Sequence, residues 1–246
     1  MREIDGTSDG SGPPVAERVV DLRLATAYGD FLAVGYRDGN GTDEQMALVY
    51  GDVTGEGALV RLHSECLTGD SFGSRHCDCG GQLSAALSTI VREGRGVLVY
   101  LRGHEGRGIG LLAKLQAMKL QADGLDTVEA NLALGLPADA RDYQVAAEIL
   151  HDLGIRSVRL MSNNPLKREA LQRHGVKVTE EVPLLITPQE ENIFYLRTKR
   201  ERLGHHLPHL EGGGVNTAPD TAPDTAPATA PDTAGDAESG GGGSTP

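Results

Sequence analysis

The chain has 246 residues, of which 39% are hydrophobic and 24% charged, with a formal net charge of −12. This is the composition of a globular protein with a sizeable core, and its acidity excludes the broad basic field of a nucleic-acid binder. No stretch approaches the ~20 apolar residues of a membrane span, and MREIDGTSDGSGPP lacks the apolar region of a signal peptide, so the expected location is cytoplasmic, with neither a nucleic-acid nor a membrane partner.

Residues 1–15 read as a flexible arm. Short apolar runs follow, separated by Gly/Asp turns: Val19–Leu22, Phe31–Val34, Ala47–Tyr50 and Ala58–Leu62 are predicted strands. A helix is predicted from Gln82 to Glu93, stopped by Gly94, and a buried strand over Gly96–Leu101. Further helices are expected at 109–122, 143–153, 166–173 and 188–203, the last opened by a capping box at Thr187–Glu190, with one more strand at Ser157–Met161. Strands first, then strand and helix together, predict an α+β (mixed α/β) single domain over 16–210, with a mixed sheet and flanking helices. From 211 to 246 the chain is glycine-rich and repeats Thr-Ala-Pro-Asp. Such a segment cannot bury enough apolar surface to offset its chain entropy, so a disordered tail is expected.

Cys66, Cys77 and Cys79 are the chain's three cysteines, clustered in HSECLTGDSFGSRHCDCGGQL. An odd number in a reducing compartment argues for metal or catalysis rather than a disulfide framework. Three thiolates suit Zn²⁺ and leave one tetrahedral position for water, as in catalytic sites. Two plainer readings stand beside this one: a structural site closed by His63 or His76, or unligated thiols. RGHEGRGIG at 102–110 follows the buried strand, and its glycines and arginines suit an anion. It is not a Walker A loop, and by itself it reads equally well as a solvated turn.

RLHSECLTGDSFGSRHCDCG, YLRGHEGRGIGL, DTVEANLALGLPADARDY and SNNPLKREAL, in this order and spacing, closely resemble GTP cyclohydrolase II over residues 18–207. The resemblance implies an enzyme of riboflavin biosynthesis that hydrolyses GTP, releases pyrophosphate and opens the imidazole ring of guanine. It puts a single Zn²⁺ per chain on Cys66, Cys77 and Cys79, and Mg²⁺ on the triphosphate. GTP contacts fall on Arg61, Leu62, His63, Ser64, Glu65 and Gln82, then on Glu105, Gly106, Arg107, Thr127, Ser162 and Lys167. Asp139 falls on the general base and Arg141 on the nucleophile that attacks the α-phosphorus. An Asp-x-Arg pair taken alone is a solvated surface pair. The family also implies a homodimer.

One position departs from the family. Its active-site tyrosine, on the helix after the glycine-rich loop, corresponds here to Met118. Leu111, Leu115 and Met118 lie at helical spacing, so core packing is the plain alternative. A thioether cannot position water as a phenol does. The expected product is therefore the formylamino-pyrimidine, with the second hydrolysis, which expels formate, impaired. The alternatives are the complete reaction, giving the diamino product with formate and pyrophosphate, and a non-catalytic zinc-containing nucleotide-binding protein, which would need no nucleophile.

Overall fold

The computed structural model describes residues 15–39 and 43–210. The expected arm, apart from Val15, and the expected tail lie outside the described residues. Three strands open the chain: β1 (Ala16–Thr26), β2 (Gly29–Asp38) and β3 (Glu44–Tyr50). They form an antiparallel meander, and β3 pairs antiparallel with β5 (Gly96–Leu101). β5, β4 (Ala58–Ser64), β6 (Ser157–Met161) and β7 (Lys177–Val182) then run parallel. The result is a mixed seven-stranded sheet of order β1-β2-β3-β5-β4-β6-β7, a mixed α/β single domain as the sequence predicts.

Between the strands lie α1 (Leu67–Asp70), α2 (Cys79–Glu93), α3 (Leu111–Ala122), α4 (Thr127–Ala133), α5 (Gln144–Asp152), α6 (Pro165–Arg173) and the C-terminal α7 (Ile193–Leu203). Helices cover both faces, and the side-chain period of two assigns each strand residue to one of them. Leu59, Leu98, Phe31 and Leu48 pack against Ala86, Leu87 and Ile90 of α2. Val60, Leu62, Val97 and Val99 pack with Ile149 and Leu150 of α5 and Leu171 of α6. β4 therefore buries both its faces. It lies between β5 and β6, the strands that follow it in the chain on opposite sides, which makes its carboxyl end a topological switch point. Crevices at such points are where open α/β sheets bind ligands.

Some elements differ from the sequence expectation. α7 begins at Ile193, not at 188, and the capping box at Thr187–Glu190 does not form. Asn192 Oδ1 accepts the Gln189 N–H at 2.9 Å, and the Gln189 carbonyl accepts the N–H groups of Asn192 and Ile193, so the segment is committed to a turn. A complete capping box opens α4 instead, built from Asp126 and Glu129. α1, α4 and β7 are elements that the sequence reading leaves as connections.

Gly96 of β5 pairs with Leu59 of β4. A Cβ there would lie 2.7 Å from the Leu59 carbonyl oxygen and 3.1 Å from Ile90 Cγ1. Gly96→Ala should lower the unfolding free energy by about 1–3 kcal/mol through this overpacking. Chemical denaturation checks this, and an unchanged midpoint would refute so close an approach.

Candidate active site

The loops that leave the carboxyl ends of β4, β5 and β6 meet in one open cleft. At one end of it the sulfurs of Cys66, Cys77 and Cys79 lie within 4.8 Å of one another, with Cys66 Sγ and Cys77 Sγ 3.8 Å apart. A tetrahedral zinc with Zn–S bonds of ~2.3 Å sets its sulfurs about 3.8 Å apart, so this spacing fits the ion. The backbone leaves room for the cluster: a Cβ on Gly69 would lie 2.8 Å from Cys77 Sγ and 3.2 Å from Cys66 Sγ. Among the described residues no histidine joins the group. His63 directs Nε2 to both oxygens of Asp70 at 3.0 Å, and Asp70 also accepts from Tyr100 Oη and from the Cys66 N–H. His63 is thus committed to Asp70, which speaks against its closing a structural site, while His76 borders the cleft beside the cysteines. Burial, set against the hydrogen bond to Asp70, holds His63 below its usual pKa, so the ring is neutral and donates from Nε2.

Lys114 of α3 covers the cluster from above. Its Nζ lies 3.2 Å from Cys66 Sγ, 2.8 Å from Thr68 Oγ1 and 2.6 Å from Glu105 Oε1. The other Glu105 oxygen accepts the Leu67 N–H at 2.7 Å. Glu105 thus faces the cleft with both oxygens already engaged.

The far wall carries Arg141. Asp139 grips it with two parallel bonds, Nη2 to Oδ2 at 2.5 Å and Nε to Oδ1 at 2.9 Å, while Nη1 reaches Ser64 Oγ at 3.4 Å. Burial opposes charge on both partners, but the bidentate pairing outweighs it: Asp139 is held below the usual carboxylate range and Arg141 above its ordinary value. The pair is part-buried in the cleft wall rather than fully solvated at the surface. The glycine-rich loop sets its position, because the Ala140 N–H donates to the Arg107 carbonyl at 3.0 Å. Arg107 holds a left-handed backbone with φ at 68°, rare for a side-chain-bearing residue. Its Nη1 and Nη2 are buried without a hydrogen-bond partner, the condition of a cation that awaits an anion.

Lys167 is fully enclosed, with Nζ 2.7 Å from the Leu62 carbonyl. Burial, then the charges of Arg61 and Arg141, push it well below the usual lysine value. His104 is lowered to about 4 by burial and by the charges of Arg141 and Lys167, so it is neutral near pH 7. Arg61, His63, Ser64, Glu65, Gln82, Gly106, Thr127 and Ser162 all border the cleft as well. Leu62 does not: its side chain belongs to the core, and only its carbonyl serves the site. Asp139 stands behind Arg141 rather than on the cleft surface.

Met118 lines the cleft and is half-buried. It belongs to neither core cluster, and Leu115, one turn before it, is 44% exposed. The sequence reading also missed Lys114, Asp78, Tyr195, Lys199 and His205, four of which line the cleft, while Asp78 is tied to it through Gln82. For Tyr195 and Lys199 a signal existed in their spacing of four, which places them on one face of a helix.

If the cluster takes a metal, Gly69→Ala should prevent it while the sheet stays folded. The check is metal analysis beside far-UV circular dichroism, and full metal content in the variant would show that the sulfurs tolerate the methyl group.

The comparisons with known proteins agree with this geometry. The family model for GTP cyclohydrolase II matches residues 17–183. GTP cyclohydrolase-2 of Streptomyces coelicolor is 71% identical over 195 residues, covering 79% of this chain and 88% of that protein. Riboflavin biosynthesis protein RibBA of Mycobacterium tuberculosis is 58% identical over 200 residues, and that of Nocardia farcinica 60% over 195. In both cases the match covers 79% of this chain and 47% of the relative, so the chain spans about half the length of those proteins. Cleft, cysteine cluster and sequence likeness lead to one conclusion: the chain belongs to the GTP cyclohydrolase II family, a family of hydrolases.

Proposed function

We propose that residues 16–210 form a catalytic domain that hydrolyses GTP, releases pyrophosphate, opens the guanine imidazole ring and retains the formyl group on the product. The observation that carries this reading is the placement of Arg141, gripped by Asp139, in the same cleft as three convergent thiols. Cys66, Cys77 and Cys79 would hold Zn²⁺, which when bound supplies an acidified water near neutral pH.

The first step belongs to the chain's own residues. A guanidinium nitrogen of Arg141 attacks the α-phosphorus and the bond to the β-phosphate oxygen breaks. Pyrophosphate leaves, and the nucleotide stays on Arg141 until water cleaves the P–N bond and returns the free arginine; Mg²⁺, when bound, would screen the charge of the triphosphate. A guanidinium with a pKa above ~12 is a poor nucleophile, so its proton must go to a base in contact, and Asp139 is that base. Arg107 supplies positive charge for the triphosphate, and the bound anion would favour the charged form of Lys167, which burial and the neighbouring arginines otherwise oppose. Ser64, 3.4 Å from Arg141 Nη1, helps to orient the nucleophile.

The final hydrolysis, which expels formate, is different. It attacks a stabilised amide and needs a positioned acid or base, whose loss costs ~10²–10⁴-fold. Met118 offers a thioether to the cleft where the family has a phenol. The main product is then 2-amino-5-formylamino-6-ribosylamino-4(3H)-pyrimidinone 5′-phosphate. A second reading, the complete reaction with formate released, has two observations in its favour: Tyr195 brings a phenol to the same cleft from α7, and the chain is 71% identical to a GTP cyclohydrolase-2. A mere nucleotide binder is disfavoured because binding needs no Asp139–Arg141 pair.

We read the assembly as the family's homodimer. Val19, Val20 and Leu22 on β1, each about half exposed, support an unfilled apolar surface. Among the described residues no helix is long and apolar enough to cross a membrane.

Two measurements test the chemistry. Arg141→Ala should abolish pyrophosphate release and ring opening together, and normal pyrophosphate release from that variant would refute the nucleophile. In the unaltered protein, mass spectrometry should find a product one CO unit heavier than the diamino compound, with little formate. Met118→Tyr should then raise formate yield. Stoichiometric formate from the unaltered chain would establish the complete reaction instead.

A further inference from the structure

Asp78 stands between two of the cysteines, and neither the metal reading nor the nucleophile uses it. It is buried, and both its oxygens are engaged. Oδ1 accepts from Lys199 Nζ of α7 at 2.7 Å. Oδ2 accepts from Gln82 Nε2 at 2.5 Å. Gln82 Oε1 in turn accepts from Arg61 Nη2 at 2.5 Å, and Arg61 Nη1 donates to the Met161 carbonyl at 3.0 Å. One chain of hydrogen bonds thus runs from the C-terminal helix, under the cysteine loop, to β4 and the end of β6.

This chain has a direction. An amide can usually turn over by half a rotation and exchange its donor and acceptor. Gln82 cannot do so at low cost. Turned over, it would set its NH₂ against Arg61, which only donates, and its oxygen against the Asp78 carboxylate, which only accepts. Gln82 borders the cleft, so its remaining N–H and lone pair are offered to a ligand in a fixed order. Guanine presents an acceptor, O6, beside a donor, N1–H, and adenine presents the two in reverse. A free glutamine serves either base, whereas a pinned one favours a single order.

We propose that Asp78, held by Lys199 from α7, is a positioning residue that fixes the direction of the Gln82 amide and so sets selectivity for guanine over adenine nucleotides. The proposal rests on the reading of the cleft as a GTP site. It gives the segment beyond residue 183, where the family match ends, a part in substrate choice.

The test measures calorimetric affinities for the α,β-methylene analogues of GTP and ATP. Asp78→Asn combined with Lys199→Met replaces a buried ion pair by neutral groups of similar size, so no orphan charge is left. The carboxamide introduced by the first change can itself turn over, which removes one of the two pins on Gln82. The preference for the guanosine analogue should fall by about tenfold, the scale of one mismatched buried hydrogen bond, with bound zinc unchanged. Arg202→Ala cuts a different tie of α7, its 3.1 Å ion pair with Asp126, and should leave the preference as it was. A double variant that keeps zinc and the full preference overturns the proposal. So does an equal loss of preference in Arg202→Ala, which would mean general loosening of α7. A crystal structure of the unaltered protein with the guanosine analogue tests the same point without a variant: Gln82 Nε2 should stay within hydrogen-bond distance of Asp78, and an amide withdrawn from it overturns the proposal. Equal affinity of the unaltered chain for both analogues would sink the GTP reading itself, and this proposal with it.

Discussion

Two glycines allow helix α1 to touch helix α2, and the arrangement of the cleft depends on that contact. A Cβ on Gly80 would lie 2.4 Å from the Gly69 carbonyl oxygen, and one on Gly69 would meet Cys77 Sγ at 2.8 Å. Only hydrogens fit in either place. The contact brings Cys66, at the start of α1, against Cys79, the first residue of α2, with Cys77 in the loop between the helices. Glycine in a helix costs ~1 kcal/mol relative to alanine. Here that cost is accepted where a methyl group would keep the three sulfurs from converging at the carboxyl edge of the sheet.

The same edge resolves a contradiction in charge. The chain is acidic overall, with a formal net charge of −12, yet its cleft is cationic. Asp139 and Asp78 each engage one cation, Arg141 and Lys199. Arg61, Arg107 and Lys167 face the cleft without a carboxylate partner among the described residues. Backbone carbonyls hold Arg61 and Lys167, and a carbonyl orients a cation without cancelling its charge. Charges removed from solvent are weakly screened and act strongly on a nearby anion. A local field of this kind, rather than net charge, decides which small substrate the chain can take.

Much of this was legible in the sequence. β5 reads as a strand because both its faces are apolar, β4 because of its short apolar run from Ala58 to Leu62, and α2 ends at Gly94 because a left-handed residue closes it, with φ at 79°. The cysteines announce a cluster by composition and spacing. β7 escaped because KVTEEV is polar and mostly exposed, so no alternation marks it. α4 escaped although its capping box is complete, because Asp126 to Glu129 opens a helix of only seven residues. The box expected at Thr187 has the right residue types, but Asn192 competes for the Gln189 backbone and wins locally. Side chains such as Lys114 and Lys199 are harder still. A single lysine on a helix has a plain solvent-exposed reading, and only tertiary packing shows that Lys114 meets Cys66 and Lys199 meets Asp78.

Helix α3 shows how periodicity can mislead about a site. Its leucines suggest a core face, yet Leu112 is 77% exposed and Leu115 is 44% exposed. Ala117 is its buried residue. The stripe that points inward is Lys114, Ala117, Met118 and Gln121, all of which border the cleft. Those positions follow the spacing of three, four and seven that defines one helical face, and the face is polar at both ends because it meets a cleft rather than a core. Lys114 anchors it through Cys66, Thr68 and Glu105, so the position of Met118 is fixed one turn away. A methionine on a packed face would be exchangeable filler. A methionine on a face fixed toward the cleft offers almost no hydrogen bonding there, and the proposal of a formylamino product rests on that.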